Sequence, residues 1–373
     1  MVKPFDYPNY HFQSSSLTKA KKINPFLHSG NAQAMQQTLR KLDRAFNDMK
    51  SKGMGFPRYK KKMKSFNLIS NKIELNGSYL KIPLLKLIKL RKSRDIPDGF
   101  QIKQVQIIKK ASGYYANLMI ELDANIPTPI PHGHAVGLDV GIKSMLATSD
   151  GLIIARPRFL DKALRQIKLL QRRLKKKTIG SGKWNKLQHR IALLHEEVAN
   201  RRKDYHFKLA RQLCEGVGMI FVVGAACPKD ININFKSWSK GLFCKQSLDM
   251  GLGQFFEVLE YVCSQTDTYF AKVNKDFTSQ ICPSCGTHTG KKELSERDHK
   301  CDECGYIQDR DIAASLIVKS RGLEEIAVGT TVNKQPSNGG LAGAIARAKS
   351  LYGNPSVYRW EVQNPHRIKR AKK

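Results

Sequence analysis

The chain has 373 residues, and its 65 Lys and Arg against 31 Asp and Glu give a formal net charge of +34. A surplus that large repels itself unless a polyanion neutralises it, and nucleic acid is the polyanion such chains meet. The 41% hydrophobic content supports packed cores, no apolar run reaches the ~20 residues of a membrane span, and the opening MVKPFDYPNYHF lacks the apolar stretch of a signal peptide.

Residues 1–30 are polar and broken by Pro and Gly, and no element is predicted there. Met35, Leu39, Leu42, Phe46 and Met49 then recur at spacings of four and three, one apolar face of a helix whose other face carries Arg40, Lys41 and Arg44. GFPRYKKKMKSF (55–66) follows, with Arg58, Lys60, Lys61 and Lys62 around Tyr59. Residues 66–122 read as short strands with turns at Asn76-Gly77, Asp98-Gly99 and Ser112-Gly113, a small and very basic β module. The Pro-rich NIPTPIPHGH (125–134) reads as a linker.

AVGLDVG (135–141) has the composition of a buried strand, and SMLATSDGLIIA (144–155) that of a hairpin turning at Asp150-Gly151. Leu164, Ile167, Leu170 and Leu174, then Trp184, Leu187, Ile191, Leu194 and Val198, give a basic helical hairpin over 161–214 that bends through QRRLKKKTIGSGK. GMIFVV (218–223) is a second buried strand, 246–264 a helix, YFAKVN (269–274) a third strand and about 311–320 a short helix. From Gly322 the chain loses periodicity and reads as a disordered basic tail ending in HRIKRAKK.

All eight cysteines lie between 214 and 304. CPSCG (282–286) and CDECG (301–305) leave 15 residues between Cys285 and Cys301, the spacing of a four-thiolate zinc ribbon. Cys282, Cys285, Cys301 and Cys304 are its expected ligands, and four thiolates leave zinc no open position, so the metal is structural. Two metal-free thiol pairs or a redox pair are the alternatives. Cys214, Cys227, Cys244 and Cys263 read as ordinary buried residues.

Asp139 stands inside an apolar strand, where a carboxylate is costly unless paired or metal-bound. Asp311 stands just after the second knuckle, at a helix start, where a first-turn acid is the ordinary reading. Together, in a very basic chain, they suggest an Mg²⁺ site for phosphodiester hydrolysis, although three or four carboxylates are usual for such sites.

At these residues the chain resembles TnpB, also called OrfB, the transposon-encoded relatives of type V CRISPR effectors. The matching pieces are QQTLRKLDRAF (36–46), FPRYKKK (56–62), GLDVGIKSMLATSDG (137–151), LLQRRLKKK (169–177), RKDYHFKLA (202–210), GLGQFFEVLEYVC (251–263) and TSQICPSCGTHTGKKELSERDHKCDECGYIQDRDIAAS (278–315). The resemblance implies an α/β chain in which an RNase H-like (RuvC) nuclease domain with an inserted zinc ribbon follows a basic helical segment and a β-barrel-like wedge module. It divides the chain into a partial helical recognition region (1–65), a wedge module (66–124), a linker (125–134), a nuclease domain (135–322) with the ribbon at 278–305, and a tail (323–373). It also implies a guide RNA derived from the transposon end, a double-stranded DNA target, catalytic Mg²⁺, no membrane, and a place in the bacterial cytoplasm with the nucleoid. In family terms Asp139 matches the first RuvC acid and Asp311 the third.

Three features depart from the family pattern. The second acid, usually a Glu at the end of the strand that here reads MIFVV, is missing. Asp230 is the only acid in that segment, while Glu293, Glu296 and Asp298 lie where some relatives carry one near the second knuckle. The Asn often found two residues after the third acid is Ala313. Most of the family's opening strand and helix has no counterpart, which implies an incomplete wedge. The expected function is therefore an RNA-guided DNA-binding protein and Mg²⁺-dependent endonuclease; the alternative is the same scaffold without cleavage, or a decayed transposase-like copy. A strand-transferring transposase is disfavoured because no HUH motif with a Tyr nucleophile is visible. Arg58, Tyr59, Lys60, Lys61, Lys62, Arg172, Arg173, Lys175, Lys176 and Lys177 are the expected nucleic-acid contacts, made to phosphates rather than base edges. For Phe56, Tyr59 and Phe66, base stacking and core packing are both open, with core packing preferred.

Overall fold

Asn9 accepts a hydrogen bond from the Phe12 amide and opens helix α1 (Tyr10–Ile23); Asn24 accepts from Phe26 and Leu27 at the head of α2 (Pro25–Ser29). Neither helix buries a residue, so the stretch has no apolar periodicity and only the capping asparagines announce it. The computed structural model describes residues 9–60, 63–69, 73–82, 85–91, 101–121, 128–223, 244–293, 295–331 and 358–362. They divide into two compact units, 1–124 with 345–373 and 125–344.

In the first unit, α3 (Ala32–Lys52) starts at the Asn31 cap and stops at Gly53, whose φ of +61° suits a residue without a Cβ. It packs on strand β1 (Ser65–Ile69). β2 (Glu74–Asn76) and β3 (Tyr79–Ile82) form the hairpin expected at Asn76-Gly77; β4 (Lys86–Arg91) pairs with β3. β5 (Gln101–Lys109) and β6 (Tyr114–Glu121) turn at Ser112-Gly113, as their alternation predicts. The core beneath them is Leu68, Leu80, Ile82, Leu90, Val105, Ile107, Ala116 and Leu118. The Asp98-Gly99 turn lies outside the described residues.

The second unit is built on five strands, and their order explains what the site can be. β7 (Ala135–Val140) pairs antiparallel with β8 (Ser144–Thr148), which pairs with β9 (Ile153–Ala155); on its other edge β7 pairs parallel with β10 (Met219–Val223), and β10 with β11 (Tyr269–Val273). Parallel neighbours need crossovers. The first is the basic hairpin of α4 (Asp161–Lys175) and α5 (Gly182–Cys214), zipped by Ile167, Leu170 and Ile191. The second contains α6 (Cys244–Met250) and α7 (Leu252–Gln265); Gly251, at φ +63°, breaks what the sequence reads as one helix over 246–264.

Two expectations for the C-terminal part are corrected. The last helix, α8, runs Arg310–Thr331 rather than ending near 320. Its continuation past Gly322 follows from packing: a Cβ on Gly322 would lie 2.2 Å from the Phe221 ring, so the glycine is an approach point and not a stop. The stretch read as a disordered tail also contains a strand, β14 (Tyr358–Val362), which pairs antiparallel with β6 and β4. Among the described residues no helix is long and apolar enough to cross a membrane.

Candidate metal centres and basic surface

The two knuckles repeat one backbone design. Cys282 N–H donates to the Thr287 carbonyl (2.9 Å) and Gly286 N–H to the Cys282 carbonyl (2.9 Å); Cys301 N–H donates to Tyr306 (3.0 Å) and Gly305 N–H to Cys301 (2.9 Å). Gly286 and Gly305 sit at φ +77° and +70°, which a side chain would strain. A two-stranded ribbon that the sequence does not announce, β12 (Asp298–Lys300) against β13 (Ile307–Asp309), carries the second knuckle. The result brings all four sulfurs within 4.8 Å of one another, with Cys282 to Cys304 and Cys285 to Cys301 at 3.6 Å. Four sulfurs about 2.3 Å from a tetrahedral zinc stand about 3.8 Å apart, whereas a disulfide requires about 2.05 Å. The donor set therefore fits zinc.

Asp139 is near the end of β7, the central strand, facing Ala147 of β8. Asp311 is in the first turn of α8, 172 positions later. α8 reaches it because β7 carries Gly137: a Cβ there would meet the Ser315 carbonyl at 2.2 Å and the Lys319 amide at 2.6 Å, so only glycine lets helix and strand approach this closely. Asp309 caps the helix, accepting from the Asp311 and Ile312 amides at 2.9 and 3.3 Å. The Ser144 hydroxyl donates to Asp311 Oδ2 at 2.8 Å. Both acids keep part of their surface open. Even so, burial first and the Asp311 charge second push the Asp139 carboxyl up to about 7, with a Val140 hydrogen bond and Arg310 opposing. Arg310 is anchored from the other side by the Glu293 carbonyl at 2.8 Å, in the loop between the knuckles.

A carboxylate whose charge is disfavoured by burial and by a neighbouring carboxylate is chemically suited to a hard divalent cation. Glu296 and Asp298 are exposed, and among the described residues the four cysteines are the only group of three or more His, Cys, Asp or Glu with all ligand atoms within 4.8 Å of one another. Asp230 lies outside the described residues, as do Cys227, Lys61 and Lys62. Sequence reasoning missed Ser144, which has no local signal, and Asp309, whose capping position two residues before Asp311 was legible.

Of the expected nucleic-acid contacts, Arg58, Tyr59 and Lys60 are exposed in the first unit, and Arg172, Arg173, Lys175, Lys176 and Lys177 are exposed at the bend of the α4–α5 hairpin. Tyr59 is 91% exposed and Phe56 61%, which corrects core packing for both; Phe66 does pack on the β core. Burial and the nearby Lys60 charge lower the Lys41 pKa, so cations of α3 and of the following segment crowd together.

Residues 118–225, which carry Asp139, match the OrfB_IS605 family, described as "Probable transposase". Residues 253–318, which carry all four ribbon cysteines and Asp311, match the Cas12f1-like TNB domain. A Streptomyces pristinaespiralis protein named "Putative RNA-guided DNA endonuclease" is 27% identical over 335 residues, 88% of this chain and 81% of its own length. InsQ of Escherichia coli K12, with the same description, is 28% identical over 324 residues, covering 82% and 78%. In three dimensions the chain superposes on the protein of a Cas12f1–sgRNA–target DNA complex with a TM-score of 0.50 and 16% identity, over 83% of this chain and 79% of that one. Over these stretches the chain is similar to the OrfB_IS605 and Cas12f1-like TNB families and to proteins named putative RNA-guided DNA endonucleases, and its mixed α/β fold is like that of Cas12f1.

Proposed function

We propose that this protein binds a guide RNA derived from a transposon end, uses it to select double-stranded DNA, and cuts that DNA with a RuvC-like site built on Asp139 and Asp311. The observation that carries this reading is the meeting of those two acids, from segments 172 positions apart, at the end of the central strand of a mixed sheet in a chain of net charge +34. Asp139 and Asp311 would hold Mg²⁺, which supplies water activation and stabilises the leaving oxygen of a phosphodiester. Ser144 fixes the orientation of Asp311, and Asp309 fixes the helix end from which it projects. The exposed Arg58 and Lys60, and the exposed Arg and Lys of the 172–177 bend, contact phosphates, so sequence choice is left to base pairing.

A second reading, RNA-guided binding without cleavage, is favoured because among the described residues no set of three His, Cys, Asp or Glu ligand atoms within 4.8 Å of one another includes the two acids. Purified protein with its RNA, a matching plasmid and Mg²⁺ separates the two. The nuclease reading expects cleavage that Asp139→Ala reduces by about 10³-fold or more while RNA-dependent DNA binding persists. Binding without cleavage by the wild type supports the second reading, and cleavage that survives Asp139→Ala overturns the site.

A further inference from the structure

Two cysteines outside the ribbon converge. Cys214 is the last residue of α5 and Cys263 lies near the end of α7. Their sulfurs are 3.5 Å apart, and both side chains are buried, at 6% and 0% exposure. Each stands just ahead of a core strand, Cys214 before β10 and Cys263 before β11, and those strands are parallel neighbours. The lead-ins are tied together: the Thr268 amide donates to the Cys263 carbonyl at 3.0 Å, and the Thr268 hydroxyl donates to the Val217 carbonyl at 3.2 Å. The sheet itself therefore holds the two sulfurs in register.

Their access to solvent differs. Cys214 lines a depression of about 510 Å³ with Lys208, Arg211, Gln212, Glu215 and Thr266; Cys263 is behind it. Hydrogen bonds with Cys263, Thr266 and Thr268 favour the Cys214 thiolate, against burial.

We infer that Cys214 and Cys263 are an oxidisable dithiol site, with Cys214 as the peroxide-reactive sulfur and Cys263 as the resolving one. The Cys214 thiolate attacks one oxygen of a hydroperoxide and the O–O bond breaks; Cys214 becomes a sulfenic acid and the peroxide is reduced, leaving as hydroxide and, with a proton, as water. The Cys263 sulfur then attacks the sulfenic sulfur, gives up its proton, and a second water leaves as the S–S bond forms. An approach of about 1.5 Å brings the sulfurs from contact to bonding distance. The disulfide would link the two helices that feed adjacent strands and close a loop with 48 residues between its cysteines.

The test uses the full-length protein, reduced, zinc-loaded and treated with hydrogen peroxide, followed by alkylation and peptide mass mapping. Expected are a peptide joining Cys214 to Cys263, two hydrogen atoms lighter than the free pair and reversed by a thiol reductant, and the loss of both as alkylatable thiols. In Cys263→Ser, Cys214 is trapped as a sulfenic acid by a cyclic dione; in Cys214→Ser, Cys263 stays unmodified. The proposal is overturned if the wild-type pair remains separately alkylated at a dose that fully oxidises an unstructured peptide thiol. It is equally overturned if Cys263 is the residue trapped as sulfenic acid in Cys214→Ser.

Discussion

Within the second unit, two sets of candidate metal ligands are built in contrasting ways. Cys282, Cys285, Cys301 and Cys304 come from two short turns in one stretch of chain; their soft donors surround a point completely, with two sulfurs buried and two exposed. Asp139 and Asp311 come from a central strand and a distant helix, offer hard donors, and leave any cation with open positions. A closed thiolate set holds structure and exchanges nothing with solvent. An open carboxylate pair, one member pushed up to about 7 by burial and the other's charge, is under electrostatic tension that a cation relieves. The difference teaches that in this unit a complete ligand set is specified by local turns, whereas the carboxylate pair comes together only where helix packs on strand.

The contrast can be broken most forcefully at the ribbon. Removing zinc with a chelator, or replacing Cys301 by Ser, should cost on the order of 10 kcal/mol of local folding free energy. Metal content should fall from one ion per chain to near zero, and amide exchange across 278–309 should approach that of an unfolded segment. Retained protection without metal would make the knuckles a thiol structure.

At the carboxylates the sign is reversed. A folded-state pKa near 7 against an ordinary 3.8 means that Asp139 contributes no penalty below pH 4, and that stability is lost as pH rises through 7. Without divalent cation, Asp139→Asn should therefore be more stable than wild type at pH 8 by on the order of 2 kcal/mol, after discounting for partial exposure, and by almost nothing at pH 4. Denaturant titrations at both pH values check this; equal stability at pH 8 would remove the tension from the comparison.

Ser144→Ala probes one arm of the pair. Loss of the hydroxyl from Asp311 should cost about 1–3 kcal/mol and, if the pair is catalytic, slow DNA cleavage by about 10-fold without altering RNA-dependent binding. The smallest effect is expected at the exposed acids that the sequence offered as substitutes. Glu296→Gln and Asp298→Asn should change the cleavage rate by less than about 3-fold, since surface charges contribute little. A large loss at either would enlarge the site beyond the pair.

Much of the architecture was legible because periodicity is local. The alternation in 101–109, the apolar run at 135–140 and the heptad-like spacing through α4 and α5 each report a face that must be buried. The helices at 10–29 were not, because they bury nothing and announce themselves only through Asn9 and Asn24. The break at Gly251 was hidden inside a continuous apolar pattern, and the length of α8 was hidden by Gly322, which reads as a stop in one dimension and is a contact with Phe221 in three.

The sequence by itself specified the four-cysteine cluster that could hold zinc, since two CxxC-Gly turns specify their own backbone. Its net charge of +34 pointed to a polyanionic partner, and it named Asp139 and Asp311 one at a time. Only the tertiary structure decided that these two acids come close enough for the Asp311 charge to act on Asp139, with Ser144 hydrogen-bonded to Asp311. That outcome depends on Gly137 letting α8 lie against β7, a contact across 178 positions that no local pattern encodes.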